Sequence, residues 1–191
     1  MKNRCDWVTE GDALYEHYHD TEWGVPIHDP KSLYSKLILD GFQAGLSWRT
    51  ILHKRENFLE AFHGLDPEKV ATYGEKDIER LLGNAGIIRH RGKITGAITN
   101  ARLWIEMMEG GEDFSHYLWS YFGGTPIQNR WKTIDEVPAT APEGDALARD
   151  LKKRGFKFCG PTIVYAFAQA VGMVNDHLVT CPRHKACAAL A

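Results

Sequence analysis

Apolar positions along the chain recur with the 3.6-residue period of a helix. No alternation of apolar and polar residues runs long enough to predict a strand. Leu33, Leu37 and Ile38 form one stripe behind Asp29-Pro30, an N-cap followed by the residue favoured in a first helical turn. Ile51, Leu52, Leu59 and Phe62 form a second, which opens at Ser47 and stops at Gly64. Short helices are predicted behind Asp66-Pro67 and over 77–82. A long one follows to Met108, with Ile94, Ile98, Ala101 and Ile105 on one face and Gly110-Gly111 as its stop. Phe114 to Phe122 reads as a short aromatic helix. Residues 145–153 and 161–171 give the last two, joined by a glycine-bearing turn. Residues 5–28 read as irregular structure and short helical turns. Residues 123–142, with Pro126, Pro138 and Pro142, read as a surface excursion of a length unusual in a compact domain. The pattern predicts an all-α chain, and 191 residues suffice for one domain over 1–191 or for two small halves sharing a core.

Composition changes this picture little. Hydrophobic residues make up 43% and charged residues 25%, ordinary for a globule. No apolar run approaches the about 20 residues of a membrane span, and the N-terminus lacks a signal-peptide core, so a cytoplasmic protein without membrane contact is expected. Net charge is −2, which does not announce a nucleic-acid partner. The basic residues nevertheless cluster, in Arg89-His90-Arg91 with Lys93 and in Lys152-Lys153-Arg154 with Lys157. Each cluster stands beside a glycine-containing turn and reads either as a solvated helix end or as a phosphate contact.

The densest chemistry lies in residues 39–48, LDGFQAGLSW. Asp40 ends an apolar run, Gly41 and Gly45 allow a sharp bend, Leu46 sits at the corner and Trp48 follows on the next helix. A carboxylate and a large π-face at one bend suit a pocket for a flat, polar, cationic ligand, and they equally suit a packed corner. Trp7, Tyr15, His17, Tyr18, His19 and Trp23 crowd the N-terminal segment beyond what a small core corner needs.

Four cysteines in a cytosolic chain do not read as a disulfide framework. His177 and Cys181 are spaced i, i+4, which on a helix places both on one side. With Cys5 and His19 from the other terminus they would make a closed tetrahedral zinc site that clips 1–28 to 173–191. His184 and Cys187 are further donors, so spacing leaves the ligand set open. The stretch 155–172 reads as a helix–hairpin–helix. Its backbone amides, Lys157 and the basic run 152–154 suit a phosphate, and its apolar face suits a buried hairpin equally well.

Taken together, RCDWV (4–8), YHDTEWGVP (18–26), QAGLSW (43–48), KRENF (54–58), AGIIRHRGKI (85–94), LKKRGFKF-G (151–160) and NDHLV-C (175–181) resemble the DNA-3-methyladenine glycosylase I family of the helix–hairpin–helix glycosylase superfamily. The resemblance spans almost the whole chain. It implies an all-α helix–hairpin–helix glycosylase fold with two helical halves sharing a cleft. It further implies one structural Zn2+ on Cys5, His19, His177 and Cys181, and a base pocket of Tyr15, Tyr18, Trp23 and Trp48 with Trp7 close by. The implied partner is double-stranded alkylated DNA, bound by a monomer. Leu46 matches a wedge that fills the gap left by a flipped nucleotide, and Lys157, Gly160 and Thr162 match the backbone-holding hairpin. Asp40 and Tyr18 match the catalytic pair, although the family's well-studied members carry Glu where this chain has Asp40. Asp176 is a second carboxylate candidate. No lysine follows Gly160, where Pro161 and Thr162 stand, so a monofunctional enzyme leaving an abasic site is expected. The shorter Asp40 keeps an alternative in view, a zinc-stabilised module that binds alkylated bases or DNA backbone with little turnover.

Overall fold

The computed structural model describes residues 3–191; residues 1 and 2 of the unit expected over 1–191 lie outside it. Helices dominate, as the periodicity predicts. Asp29 caps α2 (Pro30–Gln43) by accepting from the Ser32 amide at 2.7 Å, and Ser47 caps α3 (Trp48–Leu52) by accepting from Thr50. The single helix expected from Ser47 to Gly64 breaks. α3 stops at Leu52, Lys54 departs from helical dihedrals before α4 (Arg55–Ala61), and Gly64, with a φ of 76°, lies inside the 3-10 turn His63–Leu65. α5 (Pro67–Val70), α6 (Glu75–Leu82) and α7 (Arg91–Glu109) follow, then α8 (Phe114–Ser120), α9 (Pro142–Arg154) and α10 (Pro161–Ala170).

The N-terminal segment is more regular than its composition suggests. Asp12 caps α1 (Ala13–Thr21), accepting from the Tyr15 amide. The expected absence of strands needs one small correction. β1 (Ile127–Gln128) pairs in parallel with β2 (Val174–Asn175), with Ile127 opposite Val174 and Gln128 opposite Asn175. The excursion 123–142 is thereby drawn back onto the body of the protein rather than left on the surface.

α2 is the central element. Eight of its residues, from Leu33 to Phe42, are buried, and it packs against α3, α7, α8 and α10. Only Lys31, Ser32, Ser35 and Lys36 and the helix ends reach its less buried side. The main apolar core gathers around α2, with Phe58, Phe62, Phe114 and Phe167 completely buried. Each such ring removes on the order of 3 kcal/mol worth of apolar surface from water. A second, smaller cluster holds Cys5, Tyr18, Trp23, Leu52, Ala170, Leu178 and Cys181, so the two ends of the chain share one layer. Gly172 makes that layer possible. Its φ is +75°, and a Cβ there would lie 2.5 Å from the Pro26 nitrogen. The close approach lets Gly24 donate to the Ala170 carbonyl and Ile27 to that of Val171.

Candidate active site and metal centre

The second layer carries two adjoining sites. The first joins the termini. Cys5, His19, His177 and Cys181 are all buried, and one ligand atom from each lies within 4.8 Å of every other. Cys5 Sγ is 3.5 Å from His177 Nδ1, and Cys181 Sγ is 3.6 Å from His19 Nε2 and 3.8 Å from His177 Nδ1. A tetrahedral zinc with ordinary Zn–S and Zn–N lengths requires S···N edges of about 3.6 Å.

The next shell of contacts agrees. His19 Nδ1 donates to Asp20 at 2.8 Å, and His177 Nε2 donates to the Trp23 carbonyl at 3.0 Å, so each imidazole turns its bare nitrogen inward. Arg4 grips the Asp20 carboxylate with a fork of 2.8–3.1 Å bonds, which with the bond from His19 holds that carboxyl down at about 2. The two thiols are strongly coupled. Contact with Cys181 and burial raise Cys5, while the bond from Cys5 and those from the imidazoles hold Cys181 down, towards the thiolate a metal needs. The residues fit a soft, tetrahedral ion.

One expectation is corrected here. His177 and Cys181 do not share a helix; they bracket a turn, and Cys181 precedes α11 (Pro182–Ala188). His184 and Cys187 are taken up elsewhere. His184 Nε2 donates to the Asn129 carbonyl, and Cys187 lies near Arg183.

The second site is a cleft of about 340 Å³, within the range of small-ligand pockets. α1 supplies Tyr15 and Tyr18, three residues apart on one face, and the neighbouring segments supply Trp7 and Trp23. Trp7 sits edge-on against Tyr15, His19 and Trp23, so the aromatic wall leans directly on the Cys/His cluster. Trp48 faces Tyr18 with ring centroids 5.3 Å apart. Asp40 forms the floor. It is 1% exposed, and its Oδ2 has no hydrogen-bond partner among the described residues; the same holds for the Trp48 indole N–H. Burial raises the Asp40 carboxyl above the usual carboxylate range, against the pull of Lys36. Two unpartnered polar atoms inside an aromatic cleft are what a ligand with a polar edge would satisfy.

The structure brings together every residue expected at the pocket and metal site, and it adds several. Lys36 and Gln43 line the cleft from α2, and Ile134, Val137 and Pro138 close it from the excursion. Lys36 stands one helical turn before Asp40, a spacing visible in the sequence. The contribution of 134–138 had no local signal. Asp176, the second carboxylate candidate, lies on the cleft wall but is fully engaged. Oδ1 accepts from Asn129 and Trp131, and Oδ2 from Tyr165 and Gln169, at 2.6–2.9 Å. Four donors fill the four lone-pair sites of a carboxylate.

The surface residues separate by position. Leu46 is 43% exposed at the α2–α3 corner, where Gly45 has a φ of +76°. Gly160 caps α10 in the open, where a Cβ would meet nothing, and Lys157 and Thr162 are exposed beside it. The basic clusters do not act as units. Lys93 is buried and donates to the carbonyls of Phe42 and Ala44, Arg91 pairs with Glu75 and Glu79, and Arg154 pairs with Glu112 and Asp150. Of the residues read as phosphate contacts, Lys93 is therefore a clamp on the end of α2. Lys152, Lys153 and Lys157 remain exposed on the hairpin.

A helical protein clipped at its termini, with an aromatic cleft floored by a carboxylate and an exposed hairpin beside it, has the parts of a base-handling enzyme. Residues 7–184 match the methyladenine glycosylase family. The chain is 52% identical to DNA-3-methyladenine glycosylase 1 of Escherichia coli, over 93% of this chain and 95% of that protein. It is 46% identical to the DNA-3-methyladenine glycosylase of Haemophilus influenzae, over 95% of this chain and 98% of that one. It superposes on a crystal structure of 3-methyladenine DNA glycosylase I with a TM-score of 0.92, covering 94% of this chain and 98% of that chain at 52% identity. The chain belongs to the methyladenine glycosylase family, and it is a DNA-repair glycosylase.

Proposed function

We propose that the protein hydrolyses the N-glycosidic bond of 3-methyladenine in alkylated double-stranded DNA and leaves an abasic site. The observation that carries this reading is the buried, unpartnered Oδ2 of Asp40 in a cleft that Trp48 and Tyr18 also line. A base alkylated at N3 is flat and cationic, so an electron-rich aromatic cleft with an acceptor at its floor favours it over neutral bases. Its exocyclic amine supplies the donor that Asp40 lacks. The base must leave the duplex to reach this depth. Leu46, exposed on a rigid corner, fills the gap in the stack, and the amides at Gly160 with Lys157 and Thr162 hold the backbone without choosing a sequence.

Positive charge already makes the alkylated base a good leaving group. Water adds at C1′ as the bond to the base breaks, the water's proton is lost to solvent, and the base departs neutral. Asp40 and Tyr18, whose hydroxyl burial keeps protonated, hold the polar edge of the departing base, so stabilisation of the transition state comes from pocket contacts to the leaving group. The enzyme is monofunctional: no lysine occupies the turn after Gly160, and the Lys36 amine is engaged by Asp40. Cys5, His19, His177 and Cys181 hold one structural Zn2+, whose closed donor set supplies folding energy and leaves no position for a reactive water. The protein acts as a monomer in a reducing cytoplasm, where such thiolates persist.

The test is direct. Enzyme in excess is incubated with methylated duplex DNA and released bases are separated by chromatography. Free 3-methyladenine with an intact abasic strand is expected, and no released 3-methyladenine would overturn the proposal.

A further inference from the structure

α2 places Lys36 one turn before Asp40, and the side chain turns into the cleft, 13% exposed. Its Nζ lies 2.5 Å from Asp40 Oδ1 and 3.8 Å from the centre of the Trp48 ring. An ammonium of the protein's own thus occupies both features that would recognise a cationic base, the carboxylate and the indole face. The pair is neutral as a unit, so the cleft lacks the net negative charge that an isolated Asp40 would give it. A base cation entering here gains the Trp48 face only by moving the ammonium off it. It also competes for a carboxylate that already has a charged partner at hydrogen-bond distance.

We propose that Lys36 is a specificity-determining residue that holds the cation site of the pocket, so that an alkylated base must displace its ammonium and the enzyme's preference for cationic over neutral damaged purines is narrowed. This rests on the cleft being the base pocket. Burial lowers the Lys36 ammonium and raises the Asp40 carboxyl, so the pair stands withdrawn from water.

Lys36→Met removes the charge and keeps most of the chain's bulk. The binding probes are 3,9-dimethyladeninium, a cation with no cleavable sugar, and neutral 9-methyladenine, each followed by quenching of tryptophan fluorescence. The expected result is that K36M binds the cation about thirtyfold more tightly, the size of one desolvated cation–π contact, while binding of the neutral purine changes by less than about threefold. K36Q, shown to be folded by circular dichroism, is expected to follow K36M, and K36R to stay with the wild type. Cation binding by K36M and K36Q that is unchanged or weaker than wild type would overturn the proposal, as would K36R tightening as much as K36M. Release of 3-methyladenine from DNA is measured in parallel. Its absence from wild type and K36M alike would overturn the glycosylase reading of the pocket and leave the binding result to decide the role of Lys36.

Discussion

In the proposed reaction the chemistry converges on one side chain, Asp40. Its backbone is fixed by a buried helix, one oxygen is held by Lys36, and the other is buried without a hydrogen-bond partner among the described residues. Aspartate is one methylene shorter than the glutamate of the family's well-studied members, so it reaches less far from α2. Asp40→Asn removes the charge and keeps the volume. Loss of one charged hydrogen bond costs about 1.5–3 kcal/mol, so kcat/KM for 3-methyladenine release is expected to fall roughly tenfold to a hundredfold. Single-turnover release from methylated DNA measures it, and an unchanged rate would remove Asp40 from catalysis. Asp176 stands in contrast. Its four donors come from the excursion and from α10, so it works as a knot that ties the cleft wall together. Asp176→Asn turns an amide towards at least one of those donors. It is expected to cost about 2–4 kcal/mol in denaturant unfolding.

At the scale of elements, the corner between α2 and α3 is held by a residue far along the chain. α2 ends with carbonyls that have no helical partners, and the ammonium of Lys93 on α7 meets those of Phe42 and Ala44 at 2.9 and 2.6 Å. This clamp fixes the bend that presents Leu46 outward and Trp48 inward. Lys93→Met leaves the two carbonyls without their charged donor and is expected to cost about 2–3 kcal/mol. In a domain of this size that is a fall in melting temperature of about 5–10 °C by calorimetry. The same variant is expected to release 3-methyladenine more slowly, because Leu46 and Trp48 lose their fixed relation. The excursion 123–142 is a second case. β1 pairs with β2, Asn129 and Trp131 bond Asp176, and Ile134, Val137 and Pro138 close the cleft, so its length serves to bring a wall to the pocket.

Across the whole molecule, the two ends of the chain meet in one layer, and the pocket is built on that meeting. Trp7 and Trp23 pack against His19 and His177, so the aromatic wall and the ligand cluster share side-chain contacts. Elemental analysis of the purified protein is expected to find one zinc per chain. Removal by a strong chelator is expected to lower the melting temperature by at least 10 °C and to abolish base release together with it, because the wall loses its support. Protein that is free of zinc and equally stable would exclude the zinc reading.

The sequence by itself determined the class of fold and most helix starts. Both follow from short-range physics: apolar residues at a 3.6-residue period, Asp29-Pro30 and Ser47 as caps, glycines as stops. Its family motifs also named the residues that the structure gathers into one cleft and one Cys/His cluster, because those side chains lie in strings that can be read locally. The tertiary structure decided the rest. Helix breakage after Leu52, the burial of Lys93 within a cluster that reads as basic surface, and the return of 123–142 onto the cleft all depend on partners dozens of residues away, which no local pattern encodes. The same holds for Lys36. Its spacing from Asp40 is legible, but whether an ammonium on α2 points to water or into an aromatic cleft is settled only by what packs around the helix.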